Sequence, residues 1–397
     1  LTQIRDGRSS YPFVVELRRL VEDVRALLGP SVKIGYAADW SEYFGHHPAD
    51  GTGDVLFNLD PLWAHPEVNF VGIDNYMPLS DWRDEGEHAD SSFGSIYNLD
   101  YLRGNVEGGE GFDWYYASSE DRSSQNRLPI RDTAHGDDWV FRYKDLRNWW
   151  SRSHHDRPGG VRASSSTGWI PKSKPIWFTE IGCPAVDKGT NQPNVFYDPK
   201  SSESFFPYFS NGSPDRFIQY RYLQALLSHW SKGVNNPRSD KFDGRMVDLS
   251  RTYVWAWDAR PWPDFPARSE TWIDGANYER GHWINGRIED VPLAEVVREV
   301  CERSGQTRLA TERLYGSVSG FTIASVETAR QSLQPLVLAY SFDGFAEEDR
   351  VCFASRGQLD RIDIASENLV ASQREPTLVR TRGSDRDAPG TITLGFV

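Results

Sequence analysis

The segment KPIWFTEIGCP, residues 174–184, places a carboxylate at the end of an apolar run. Ile176, Trp177 and Phe178 predict a buried strand, and Glu180 stands near its end. Burying a charge without partners costs several kcal/mol. A Glu in this position therefore needs either a partner that anchors a loop or a partly wet site in which its charge can do chemistry. In the second case, Glu180 is the candidate catalytic residue.

Further polar and aromatic residues stand near the ends of neighbouring predicted strands: Asp39, Trp40, Asp74, Tyr76, Trp255 and Trp257. Because side chains alternate between the two faces of a strand, Ile176, Phe178 and Glu180 are expected to share one face. We predict that Glu180 and the six residues form a pocket of carboxylates with aromatic walls. Glycoside hydrolysis requires such a pocket, because one carboxylate attacks or stabilises an oxocarbenium-like centre while a second protonates the leaving oxygen. The aromatic residues would bind sugar rings.

The same residues also have a purely structural interpretation. A Glu at a strand terminus can anchor a loop by pairing with an Arg or with backbone N–H groups. The Trp-rich segment TYVWAWD, residues 252–258, can belong to a core, and an aromatic content of 13% suits either large cores or sugar-binding clefts. Both interpretations stay open at this point.

Composition excludes several classes of protein. A net charge of −13 argues against a general nucleic-acid binder. No run of eighteen apolar residues is present, so no membrane span is predicted. The first ten residues lack the basic and apolar regions of a signal peptide, which predicts a protein made in the cytoplasm. The three Cys residues are far apart and the His pairs are adjacent, so neither a metal site nor a cofactor is predicted.

Hydrophobic periodicity predicts an alternation of helices and strands. Helices are predicted at 11–28, 137–150, from Ser213 onwards and at 292–305, and strands at 32–40, 69–77, 174–182 and 252–258. This order predicts parallel strands with crossover helices. The long loops that follow the strands are typical of a barrel enzyme, which builds its site there. Four strands are half of the eight that a closed barrel needs, so we expect the other half to precede Leu1, with an open α/β sheet as the alternative.

The character of the sequence changes towards the carboxyl end. We predict a barrel-like domain at 1–290 and a smaller α+β domain at 291–397. In the second, strands are predicted at 316–325, 335–344 and 350–357, a helix at 326–334, and a loop at 374–390 before a final strand-like segment.

The segments KIGYAADWSEYFGHHPADG, FVGIDNYMPLSDWRD, GGEGFDWYYAS, HHDRPGG and KPIWFTEIGCPAVDKGTNQPNVFYDPKSSES carry a family resemblance. They resemble the glycoside-hydrolase-like TIM-barrel domain of the tail-tip, host-specificity protein of gene transfer agents and related phages. The resemblance covers residues 1–290. Residues 291–397 resemble the start of the phage tail-hub domain that follows this barrel, through VSGFTIASVETARQSLQPLVLAYSFD.

The resemblance implies a (β/α)8 TIM barrel similar to retaining glycosidases. It implies that Glu180 stands where their nucleophile ends strand seven, that Tyr76 stands where a Tyr often lies beside the nucleophile, and that Trp255 or Trp257 ends strand eight. The acid/base Glu of such enzymes ends strand four, just before the helix that begins here at Tyr11. The segment LTQIRDG holds no Glu, so this residue is expected upstream of Leu1 or is missing.

The resemblance also implies a role in a virion-like particle. The chain would be a hub component at the tail tip, with other tail-tip or baseplate proteins and cell-envelope glycan as partners and a trimeric homo-oligomer by analogy. Two alternatives differ in chemistry. The barrel could be an active retaining glycoside hydrolase that cleaves cell-wall or surface polysaccharide, or it could bind carbohydrate without cleaving it.

Overall fold

The computed structural model describes residues 1–357 except 8–9, 85, 199–200, 203 and 286–289, together with residues 365 and 368. The chain divides into two compact units. The first comprises Leu1–Pro292 and Ser317–Thr322, and the second comprises Leu293–Gly316 and Ile323–Val397. In the described part of the chain, no helix has the length and apolar character that crossing a bilayer requires.

The α-helices of the described residues are α1 (Pro12–Leu28), α2 (Asp60–Trp63), α3 (Leu99–Gly104), α4 (Ser119–Ser124), α5 (Leu146–Ser151), α6 (Arg216–Ser231), α7 (Asp264–Ala267), α8 (Leu293–Arg303) and α9 (Ala329–Tyr340). The β-strands are β1 (Gly35–Asp39), β2 (Phe70–Asn75), β3 (Trp114–Tyr115), β4 (Leu128–Pro129), β5 (Ile176–Ile181), β6 (Val291–Pro292), β7 (Leu309–Arg313), β8 (Ser317–Val318), β9 (Phe342–Glu347) and β10 (Arg350–Ser355). The chain is therefore of mixed α/β class.

The central feature of the first unit is a parallel sheet of three strands in the order β1-β2-β5. The three predicted strands at 32–40, 69–77 and 174–182 are confirmed, as is their parallel direction. The predicted strand at 252–258 is irregular, with only Val254 bridged to Ile181. Its backbone nevertheless follows β5, since the N–H of Tyr253 donates to the Phe178 carbonyl and the N–H of Trp255 to the Ile181 carbonyl, both at 2.9 Å. Within the described residues, this sheet does not close into a barrel.

The two faces of the sheet differ in what covers them. On the helix-covered face, Phe178 is buried and its ring lies 6.2 Å from that of Trp230 in α6. On the opposite face, the rings of Phe70 and Trp177 stack at 3.7 Å with an interplanar angle of 11°. A Cβ at Gly35 would lie 2.3 Å from the Phe70 ring, so glycine makes room for this stack. One face is thus hydrophobic core, and the other carries an aromatic platform.

Helix α1 confirms the predicted helix at 11–28, but the predicted start of the helix at Ser213 is wrong. The residue before α1 is Tyr11, which makes no capping hydrogen bond. Helix α6 is capped by Asp215, whose side chain accepts from the N–H of Ile218, rather than by Ser213. A carboxylate at this position also interacts favourably with the helix dipole.

The helix predicted at 137–150 is broken into a 3-10 turn at Asp138–Phe141 and helix α5. Between them, the buried Lys144 directs its Nζ to the carbonyls of Asn105 and Gly108, at 2.9 and 3.0 Å. These contacts hold the backbone away from a continuous helical path. The side chain of Asp145 then caps α5.

The long polar segment that follows β2 is ordered by ion pairs rather than by a large sheet. It contains α3, α4 and the β3–β4 hairpin. The Arg127 guanidinium lies 2.9 Å from Asp81 and 2.7 Å from Asp90, and Arg83 lies 2.9 Å from Asp81. We call these four residues the loop network. Because these ion pairs are largely buried, the segment that was predicted as a loop is an ordered part of the first unit.

The second unit matches its prediction only in part. Helix α8 confirms the helix predicted at 292–305. Helix α9 runs through the first half of the strand predicted at 335–344, because Thr328 and Gln331 form a capping box that starts a helix of twelve residues. Strands β9 and β10 form an antiparallel pair, and β10 pairs in parallel with β7, which was not predicted. The predicted features beyond residue 370 lie outside the described residues.

Candidate active site at the strand ends

Three carboxylates lie side by side at the carboxyl ends of the parallel strands. Asp39 of β1 is in register with Asp74 of β2, and Asp74 is in register with Glu180 of β5. Neighbouring strands are about 4.8 Å apart. The three residues, which we call the carboxylate row, therefore cross the edge where a barrel enzyme places its chemistry.

A β-bulge decides the direction of Glu180. Ile73 pairs with Phe178 while Asp74 pairs with Glu180, so Thr179 is an extra residue on β5. The Thr179 hydroxyl donates to the Asp74 carboxylate at 2.7 Å. A bulge interrupts the alternation of side chains. The expectation that Glu180 shares a face with Ile176 and Phe178 is therefore wrong.

The burial of the neighbours is consistent with this geometry. Phe178 and Ile181 are both buried in the same hydrophobic core. Glu180 precedes Ile181 and is partly exposed, so it lies on the face opposite to the core. The bulge thus places Thr179 and Glu180 together on the face of the aromatic platform, whereas regular pleating would have directed Glu180 into the helices.

Glu180 is held by a hydrogen bond rather than by an ion pair. The Tyr76 hydroxyl donates to Glu180 Oε2 at 2.6 Å. Among the residues with described positions, Glu180 has no Lys, Arg or His partner. Burial, followed by the Glu180 carboxylate, raises the pKa of Tyr76 well above its ordinary value, so Tyr76 remains a donor across the physiological range. The contact fixes the direction of the carboxylate without neutralising it.

Gly182, which follows β5, allows the next segment to approach closely. A Cβ at this position would lie 2.7 Å from the carbonyl oxygen of Trp255. The Trp255 N–H donates in turn to the Ile181 carbonyl at 2.9 Å. Gly182 therefore allows the Trp-rich segment 252–258 to lie beside the end of β5, next to Glu180.

Asp74 is the central carboxylate of the row and is partly buried. Burial raises its pKa, the hydrogen bond from Thr179 lowers it, and the negative charges of Glu180 and Asp39 raise it further; the net direction is upward. Like charges on adjacent strands disfavour the simultaneous ionisation of all members. Asp74 therefore retains a proton to a higher pH than an ordinary Asp does.

Asp39 and Trp40 make local contacts that limit their contribution to the predicted pocket. The exposed Asp39 carboxylate accepts from the Ser41 N–H at 2.8 Å and from the Ser41 hydroxyl, which forms a local turn. The Trp40 ring is partly buried and lies 4.7 Å from the Tyr143 ring. Trp40 is therefore packed against the protein and cannot present both faces to a ligand.

Trp255 and Trp257 present their rings to solvent, with 51% and 66% of each residue exposed. Their neighbour Tyr253 is 46% exposed. Exposed rings of this kind can stack on the apolar face of a sugar. The structure thus brings Asp39, Asp74, Tyr76 and Glu180 together at one edge, and it places Trp255 beside them through its backbone.

Two residues near Glu180 are absent from the predicted site. Thr179 is one of them, because the β-bulge that places it beside Glu180 depends on the pairing with β2 and has no local sequence pattern. His282 lies with its ring 5.8 Å from that of Tyr76 in an edge-on arrangement, and its Nε2 bonds the Pro193 carbonyl. It comes from a distant loop, so its position depends on tertiary structure. Over the described part of the chain, no group of three or more His, Cys, Asp or Glu residues could hold a metal ion.

Two family models match the chain. The GTA TIM-barrel-like domain matches residues 1–266, and a phage tail protein family matches residues 328–397. A comparison with curated proteins found no match. The order of the two matches confirms the resemblance inferred from the sequence. It supports a component of the tail of a phage or gene transfer agent, for which other tail proteins are the expected partners.

Proposed function

Since the chain belongs to the family of GTA TIM-barrel-like domains, we propose that it is a tail-tip hub component of a gene transfer agent or phage-like particle, whose barrel contacts the glycan of the recipient cell envelope. The phage tail match over residues 328–397 supports its location in the tail. The observation that carries the glycan contact is the carboxylate row, in which Glu180 has no cationic partner among the described residues, together with the exposed Trp255, whose backbone pairs with the end of β5.

We propose further that the four parallel segments are the second half of a (β/α)8 barrel. In such a barrel each strand pairs with the next one in sequence. Strands β1, β2 and β5 are consecutive in the sheet, and the segment that contains Val254 follows β5. The division at residues 290 and 291, and a trimeric assembly by analogy, belong to the same proposal.

The side chains at the strand ends offer complementary chemistry for a sugar. Carboxylate oxygens accept hydrogen bonds from hydroxyl groups, and charge-assisted bonds are stronger than neutral ones. An exposed indole can cover the C–H face of a pyranose ring. Glu180, fixed by Tyr76, and the ring of Trp257 would thus recognise the polar edge and the apolar face of a sugar respectively.

The alternative is an active retaining glycoside hydrolase with Glu180 as nucleophile. It is favoured by the Tyr76 hydrogen bond, which directs the Glu180 carboxylate. In this mechanism Glu180 attacks the anomeric carbon while a general acid protonates the glycosidic oxygen, which leaves; water then releases the sugar. The group that protonates the leaving oxygen is not assigned within this chain.

The test uses the full chain with soluble peptidoglycan fragments and capsular oligosaccharides. Binding is measured by isothermal titration calorimetry, and cleavage by the release of reducing ends. We expect Trp257→Ala to weaken binding about tenfold, equivalent to about 1.4 kcal/mol. Phe13→Ala, which removes a 37% exposed ring from α1, serves as the control and should leave binding unchanged.

The Glu180→Gln variant separates the two functions. If the wild type cleaves a glycan and the variant loses about 10³-fold or more in turnover, the enzyme alternative holds. Binding without cleavage in either protein leaves a glycan-contacting barrel and removes the enzyme. If no envelope glycan binds to the wild type, the glycan contact itself is refuted.

A further inference from the structure

A concave surface lies in the first unit, between the β3–β4 hairpin and the segment before α5. It is a cleft of about 380 Å³, lined among others by Glu110, Tyr115, Tyr116, Arg131, Phe141 and Tyr143. We call it the aromatic cleft. Its volume falls within the range of about 300 to 1,000 Å³ that small-ligand sites occupy. None of these residues belongs to the carboxylate row.

The floor of the aromatic cleft depends on a glycine. Gly111 has a φ of +80°, and a Cβ at this position would lie 1.9 Å from the Tyr143 ring. Any side chain there would displace the ring. The glycine in GGEGFDWYY therefore allows the backbone to lie flat against Tyr143 and leaves the space above it open.

The walls of the cleft are held in place by contacts outside it. The Tyr116 hydroxyl donates to Asp81 at 2.5 Å, and the Arg122 guanidinium lies 4.7 Å from the centre of the Tyr116 ring. The Phe141 ring contacts the His47 ring edge-on at 5.6 Å. A site whose side chains are already ordered loses less conformational entropy when a ligand binds.

The chemistry of the lining favours an uncharged ligand with both polar edges and apolar faces. Glu110 is neutralised by two hydrogen bonds from Arg122, at 2.9 and 2.6 Å, and Arg131 lies 3.0 Å from Asp138. Tyr115 and Phe141 are 45% and 37% exposed, so their rings are available to a ligand. A sugar ring has this combination of hydroxyl groups and C–H faces.

The aromatic cleft is joined to the carboxylate row through Trp40. The Trp40 ring lies 4.7 Å from the Tyr143 ring that floors the cleft. The Trp40 N–H donates to the Asp74 carbonyl at 3.1 Å, within the row. Trp40 therefore packs between the two regions, which makes them neighbours on the first unit. From this proximity and from the aromatic lining we infer that the aromatic cleft is a distal subsite for an oligosaccharide, which binds sugar units of the same glycan chain that reaches Glu180. The inference rests on the proposed glycan contact.

The experiment titrates the full chain with soluble peptidoglycan fragments and capsular oligosaccharides of about eight sugars. We expect Phe141→Ala and Tyr115→Ala each to weaken binding about tenfold. Phe13→Ala is the matched control, because both phenylalanines are 37% exposed and only Phe141 lines the cleft. Circular dichroism checks that each variant folds, and Tyr115→Phe, which retains the ring, should keep most of the affinity.

The outcomes separate this inference from the proposed function. Weaker glycan binding by both Phe141→Ala and Trp257→Ala supports one glycan that spans both regions. If Trp257→Ala binds more weakly but Phe141→Ala binds as tightly as the control Phe13→Ala, the distal subsite is overturned and the proposed function remains intact. Weakening in Phe141→Ala alone overturns the shared chain, and tighter binding of a proline-rich peptide in the cleft overturns the sugar assignment. No binding by the wild type refutes both.

Discussion

The loop network and the carboxylate row contain the same kind of side chain in opposite electrostatic surroundings. In the loop network, the side chains of Asp81 and Asp90 are 4% and 11% exposed, and both pair with Arg127. In the carboxylate row, Glu180 has a Tyr hydroxyl as partner and Asp74 a Thr hydroxyl. The Arg side chains neutralise the carboxylates of the loop network, whereas the hydroxyl groups orient the carboxylates of the row without a counter-charge.

This difference separates structural carboxylates from candidate functional ones. Buried ion pairs fix one conformation, and removing one partner leaves an uncompensated charge. Carboxylates without cations repel each other, which contributes to the raised pKa of Asp74. They also keep oxygen atoms that can accept from a ligand. A carboxylate at a strand end of this chain is therefore a candidate functional group when its partners are hydroxyl groups and not cations.

The largest expected effect comes from breaking the loop network. Arg127→Ala would leave Asp90 without its cation, and we expect it to lower the free energy of unfolding by about 3 kcal/mol. The control is Arg19→Ala, in which an exposed pair with Glu16 is lost, for a change of about 0.5 kcal/mol or less. Urea denaturation measures both. Similar losses in the two variants would contradict the distinction.

Tyr76→Phe should have a smaller effect, because it removes one hydrogen bond to a carboxylate that stays partly solvated. We expect a loss of about 1 to 2 kcal/mol in the free energy of unfolding. Tyr115→Phe, at a 45% exposed residue, should change stability little and provides the matched control. A Tyr76→Phe variant as stable as the wild type would show that the contact with Glu180 contributes nothing to the fold.

The raised pKa of Asp74 predicts a pH dependence. Above the ordinary Asp value of about 4, the folded state binds more protons at this site than the unfolded chain does. Its contribution to stability therefore falls as the pH rises from about 4 through the raised pKa. Asp74→Asn removes this contribution and keeps an acceptor for Thr179. The stability of the variant minus that of the wild type, measured by urea midpoints, should therefore be greater at pH 7 than at pH 4. An equal difference at both pH values would contradict the assignment.

The finest test of the carboxylate row is the titration of Asp74 itself, followed by NMR of its carboxyl carbon. Glu180→Gln removes the larger of two repulsive charges and should lower the Asp74 pKa. Asp39→Asn removes the smaller one and should lower it less. The reverse order, or no change in either variant, would show that the three carboxylates do not interact as a row.

Much of the sheet could be predicted from the sequence, because its strands are continuous apolar runs whose pattern is local. The same holds for α1 and α8, where apolar residues recur with helical spacing. The broken helix at 137–150 could not be predicted, because the buried Lys144 is bound to the carbonyls of Asn105 and Gly108, which are far away in the sequence. The bulge at Thr179 depends in the same way on its pairing with β2.

The sequence by itself determined that carboxylates stand near the ends of parallel strands, since strand positions follow from local hydrophobic patterns. Only the tertiary structure decided which of them keep an uncompensated charge. Asp74 and Asp81 are seven positions apart in the sequence. Asp81 receives Arg127 from 46 residues away, whereas Asp74 receives Thr179 from 105 residues away. Electrostatic partnership depends on distance in space, and the folded chain sets that distance.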